Sequence, residues 1–219
     1  MATSISGTAG VTFPAGGVGN PAGAVVGTTD TQTLTNKTLT SPTLTSPTIT
    51  GAVVSTMASS VITSGTAVAS TSGTSITFSS LPSWVKRITL MFNGVSTSGT
   101  VNYLVQIGSG SVTSTGYVSG ATVISMATGN TTSGVSSTAG FIIASVNAAN
   151  VYSGIFTLIN QSGNVWVANY VLSTTAGGNQ IAQGAGILST LGGALDRVVL
   201  TTTNGTDTFD AGSINILYE

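Results

Sequence analysis

From Ser75 to the end of the chain, apolar residues recur in short runs that mostly alternate with small polar ones. Ile76 and Phe78 share a face of the first run, and Ile88, Leu90 and Phe92 share a face of the second, with Arg87, Thr89 and Met91 opposite. Tyr103, Val105 and Ile107 follow in the third. A weaker run covers 118–124, and others cover 141–146, 155–160, 165–172, 181–188 and 197–202; Ile214, Ile216 and Tyr218 close the series. A period of two is the period of a strand, because successive side chains point to opposite faces of a sheet. Gly, Ser, Asn and Thr fill the gaps between runs, and no helical stripe exceeds two turns. Short strands at this spacing predict an all-β fold: an antiparallel, jelly-roll-like β-sandwich over 74–219.

The run over 165–172 departs from simple alternation. Val165, Val167 and Val171 would face one way, and Trp166, Ala168, Tyr170 and Leu172 the other. A strand that is apolar on both faces is covered on both. In a two-layer sandwich the outer cover must come from a neighbouring subunit or from a long loop of the same chain. Trp166, Tyr170 and Leu172 are accordingly candidate oligomerisation residues.

The first third of the chain follows neither period. Residues 1–32 are Gly-, Ala- and Thr-rich, with Pro14 and Pro21, and predict an irregular N-terminal arm. Residues 33–50 repeat a pentad that places Leu34, Leu39, Leu44 and Ile49 five apart. Five is odd, so a plain strand would throw successive leucines to opposite faces. Pro42 and Pro47 can reset the face, since each fixes its own φ and biases the preceding Ser away from helix. One such strip cannot bury its own leucines, whereas several wound together can. The repeat is therefore an oligomeric stalk, with Leu34, Leu39, Leu44 and Ile49 as its contacts, or else a Thr/Pro linker. Small polar residues continue to 73 as a hinge, so the expected divisions are 1–32, 33–73 and 74–219.

Charge changes the picture more than hydrophobicity does. The chain is 41% hydrophobic but only 4% charged, with a formal net charge of -1. Globular proteins carry about 25% charged residues, and disorder needs low hydrophobicity as well as high charge. No basic field exists for nucleic acid and no Lys/Arg cluster for an anionic membrane. No uninterrupted apolar stretch of about 18 residues occurs. The N-terminus lacks the basic n-region of a signal peptide, so release by cell lysis or a dedicated route is expected. Weak charge also removes the repulsion that keeps proteins apart, which favours assembly.

The same scarcity limits chemistry. Histidine and cysteine are absent, which removes Ser-His-Asp and Cys-His catalysis and the usual zinc ligands. Asp207 and Asp210 are the closest carboxylate pair in sequence. They read as a calcium site, as a two-carboxylate glycosidase centre or, most simply, as loop residues of a hairpin turning at Asn204-Gly205. Lys86-Arg87 reads as a solvated strand edge that discourages pairing. Trp84 reads as a packed aromatic, or as a partner-binding one. Gly17-Val18-Gly19-Asn20-Pro21-Ala22 resembles a dinucleotide fingerprint, but no strand precedes it and Pro21 interrupts it. No enzyme activity, cofactor or metal is expected.

Three segments carry a resemblance. Thr33-Leu34-Thr35-Asn36-Lys37-Thr38-Leu39-Thr40-Ser41-Pro42, continued to Thr50, looks like a segment common in bacteriophage virion fibre proteins. Trp84-Val85-Lys86-Arg87-Ile88-Thr89-Leu90-Met91-Phe92-Asn93-Gly94-Val95-Ser96-Thr97 is similar to a motif of phage tail and head structural proteins. The end, from Leu195 through Thr206 to Tyr218, resembles the closing strands of the same proteins. The resemblance implies a homotrimer, an N-terminal arm anchored to another virion structural protein of the capsid, neck or tail, and an outward β-domain. The expected place is the virion, with synthesis in the bacterial host cytoplasm. The resemblance supplies no catalytic residue. The chain is short beside long tail fibres, so a receptor- or glycan-binding module at a fibre tip is the second reading, with a host surface glycan as partner.

Overall fold

The computed structural model describes residues 62–125, 132–145, 147–174 and 180–219, together with Thr33, Thr38, 40–43 and Thr45. The chain divides into two compact units, Met1–Ser55 and Thr56–Glu219, and every described strand belongs to the second. The pentad contacts Leu34, Leu39, Leu44 and Ile49 lie outside the described residues.

The second unit holds two packed antiparallel sheets. Along the chain the strands are β1 Thr63–Ser64, β2 Val68–Ala69, β3 Ser75–Ser79, β4 Arg87–Thr97, β5 Tyr103–Ser109, β6 Ser111–Val112 and β7 Tyr117–Ser125. They continue with β8 Thr132–Ser137, β9 Phe141–Ile143, β10 Tyr152–Ser162, β11 Val165–Thr174, β12 Gln180–Leu188, β13 Arg197–Thr202 and β14 Phe209–Tyr218. The larger sheet runs β1-β14-β4-β10-β11-β12-β7-β8, with β2 also on β14. The smaller runs β3-β13-β5-β6, with β9 also on β5. The fold class is all-β, as the period of two predicts. The weak runs at 118–124 and 181–188 are full strands, paired with each other from Tyr117↔Leu188 to Ser125↔Gln180.

The core lies between the sheets and is built on aromatic rings. Tyr103 of the smaller sheet meets Tyr152 of the larger edge-on at 5.2 Å. Phe141 meets Tyr117 edge-on at 4.9 Å, and Phe156 stacks on Tyr170 at 5.3 Å. The inward side of β12 makes room for these rings with small residues, Ala182, Gly184 and Gly186. A Cβ added at Gly184 would sit 2.7 Å from a ring carbon of Tyr170. Two of the buried tyrosine hydroxyls are well partnered: Tyr152 donates to the Ala144 carbonyl at 2.8 Å, and Tyr117 accepts from the Ile107 amide at 2.9 Å. Burial disfavours the phenolate, so the Tyr117 hydroxyl is pushed up to about 12, and those of Tyr103, Tyr152 and Tyr170 are raised too.

Three local expectations need correction. The hinge expected to 73 already contains β1 and β2, which pair with β14 (Thr63↔Tyr218, Ile214↔Val68), and Ser70 is buried with its hydroxyl donating to the Ala211 carbonyl. Lys86-Arg87 does not mark a sheet edge. β4 lies between β14 and β10, and Arg87 forms an ion pair with Glu219. Asn204-Gly205 does not turn a hairpin, since β13 and β14 lie in different sheets. Only Gly205 has a positive φ there, 66°, whereas a type I′ turn needs one at both central residues. Instead Asn204 Oδ1 accepts from the amides of Thr206 and Asp207, and this loop carries the chain from one sheet to the other.

Candidate functional site

Among the described residues, Asp196 and Glu219 lie apart from the Asp207 and Asp210 pair. Asp196 precedes β13 and Asp207 follows it, so six strand residues hold them roughly 20 Å apart. Asp210 is the second residue of β14 and Glu219 lies beyond its far end, about 30 Å away along an extended strand. Each described carboxylate has a local partner. Asp196 accepts from Arg197 Nε at 2.7 Å and from the Gly110 amide at 2.8 Å, and these hydrogen bonds hold its carboxyl below the usual range. Asp207 accepts from Asn204 Nδ2 at 2.7 Å, Asp210 from the Ser96 hydroxyl, and Glu219 pairs with Arg87. Among the described residues no three His, Cys, Asp or Glu stand close enough to share a metal ion.

The distinctive surface is the outer face of the larger sheet. Core residues of β11 alternate with outward ones as expected: Trp166, Tyr170 and Leu172 are 3%, 4% and 0% exposed. These three side chains, expected to join subunits, lie in the core of their own chain, because the inward face of β11 packs on the smaller sheet. The outward set is Val165, Val167, Asn169 and Val171. Its neighbours follow from the register. Val171 pairs with Ile155, and Ile155 with Met91, forming one apolar row across three strands. Four residues along, Ile159, Val167, Ile187 and Val118 form a second row across β10, β11, β12 and β7. Between them runs a row of short side chains, Thr89, Thr157, Asn169 and Ala185, all but the last polar.

This face is bare. Val118 is 70% exposed, Val171 55%, Ile155 54% and Ile159 42%, half of the exposed large hydrophobics among the described residues. A monomer scatters such residues singly, and contiguity is what marks an interaction surface. No residue of β7, β10, β11 or β12 is charged. Where Gly120 faces Ala185, the missing side chains leave an open depression of about 440 Å3 bordered by Thr122, Asn169 and Gln183. Only β11 was singled out from sequence. The run over 155–160 carries the same signal, since Ile155 and Ile159 alternate with Phe156 and Leu158, so that both its faces are apolar.

Trp84 forms a second feature. Leu81 and Val85 anchor its turn in the core, closed by a Val85 amide to Pro82 carbonyl bond of 3.1 Å. The indole itself is turned outward, 52% exposed, and tilted on Tyr218 at 6.0 Å. Lys86 follows it and donates to Asn160 Oδ1 at 3.1 Å. Comparison with protein-family models, curated proteins and solved structures finds no match to this chain.

Proposed function

We propose that this chain is a structural subunit of a bacteriophage particle, a short fibre or decoration protein that works by association of copies and without catalysis. In this reading the copies form a trimer, the pentad repeat is their stalk, the N-terminal arm fastens them to another virion protein, and the jelly-roll-like sandwich points outward. The bare, uncharged apolar face of the larger sheet carries the reading, because a chain with 4% charged residues has little else to keep such a face soluble. The scattered and locally paired carboxylates support it, as do the three segments that resemble virion proteins. Light scattering over a range of concentrations tests it. The expected mass is three times the 21.5 kDa chain. A single-chain mass at every concentration would overturn the reading.

The exposed indole of Trp84 favours a second reading, a glycan-binding module. An indole face stacks on sugar rings while Lys86 and Asn160 supply hydrogen bonds. Trp166 is buried, so Trp84 dominates any ligand-induced quenching of fluorescence. On this reading glycans quench the wild-type protein and leave Trp84→Ala unchanged. Equal, flat responses from both proteins would dismiss it.

A further inference from the structure

We infer that the outer face of β4, β10, β11, β12 and β7 is the surface by which copies of this chain meet one another. The inference deepens the assembly reading above and rests on it. Its first support is charge. Four of these five strands carry no charged residue, and Arg87 at the border of the fifth is neutralised by Glu219. A partner chosen by charge would find nothing to read here. A second copy of the same uncharged face meets no like-charge repulsion, whatever the axis that relates the two.

The second support is area. Five strands at about 4.8 Å spacing and four outward rows at about 6.8 Å make a face of roughly 24 by 27 Å. That is about 650 Å2 per copy, so three copies that turn this face toward a shared threefold axis bury about 1,950 Å2 in all, above the roughly 1,200 Å2 at which stable interfaces begin. The third is pattern. Two apolar rows flank a row of Thr157, Asn169 and Ala185, whose short side chains let a facing sheet approach. Opposed sheets pack with aliphatic side chains interdigitating at about 10 Å. The inner face of the same sheet is already filled by the aromatic core, so the outer aliphatic rows are what remains for a neighbour.

The absence of cysteine makes the test clean, since each variant carries one thiol. Val171→Cys, Ile155→Cys and Ile159→Cys change exposed positions and leave the core intact. Thr203→Cys, exposed beyond the far end of β13 in the smaller sheet, is the control. The full-length proteins are treated with a short bis-maleimide, and the mass of each is measured in parallel by light scattering. The expected result is copy-to-copy linkage at the three sheet positions at least tenfold faster than at Thr203→Cys. Oligomeric mass with no preference for the sheet positions overturns the inference and leaves the assembly reading standing; the face is then covered by another segment of its own chain or by a different partner. A single-chain mass for all four proteins and the wild type overturns both.

Discussion

Phe156→Ala will remove a large share of the stability of the sandwich. Phe156 is fully buried and stands where both sheets converge, stacked on Tyr170 at 5.3 Å and 6.2 Å from Phe141. Truncating a buried phenylalanine costs about 3–5 kcal/mol, the transfer term plus the cavity left behind. The site cannot collapse to recover that loss. Its floor is made by extended β strands, and β12 beneath Tyr170 already offers nothing larger than Ala182, Gly184 and Gly186 on its inward side. A domain commonly has about 5–15 kcal/mol in total, so the urea midpoint should fall by about a fifth or more with the slope unchanged. A loss below about 1 kcal/mol would mean that the rings are not closely packed around this point.

Much of this architecture is legible in the residue pattern, for a physical reason. Inward residues of strands such as Ile88, Leu90 and Phe92 must repeat every second position, and turn residues must interrupt them, so strand existence and facing follow directly. What links the strands does not. The pairing of β4 with β14 joins residues over a hundred positions apart, and no local pattern announces it. That pairing also depends on two glycines. Gly94 and Gly212 have φ of 67° and 85°, and a Cβ on Gly212 would lie 2.2 Å from the Gly94 carbonyl oxygen. In sequence each is one more glycine among 29, although a glycine inside a strand run is a bulge signal. β1 and β2 escape notice because two-residue strands are too short to show a period.

The candidate surface was half legible. Two-sided apolarity in 165–172 pointed to an outer face needing cover, and β11 has that face. It is the valines that occupy it, while the larger Trp166, Tyr170 and Leu172 fill the core, because ring volume is best used where two sheets converge. The contribution of β10 required the register Ile155↔Val171, which only the folded sheet supplies.

Leu39→Asp combined with Leu44→Asp will reduce the proposed trimer to single chains. In the proposed stalk each leucine is buried by neighbouring copies, and burial of a leucine contributes about 1.5–3 kcal/mol. Losing two per copy raises the dissociation constant by at least about a hundredfold before charge is counted. The new carboxylates add to this, since equivalent positions meet around the stalk and their desolvation and mutual repulsion oppose closure. The two substitutions lie in the unit Met1–Ser55, outside the sandwich of Thr56–Glu219. The circular dichroism and urea midpoint of the sandwich should therefore persist while the mass falls. An unchanged mass would separate the two association elements: the repeat would be a linker, and the outer sheet face alone would have to hold the copies together. A full fall to 21.5 kDa would place the stronger contact in the pentads, with the sheet face closing only once the stalk has brought the sandwiches together at high effective concentration.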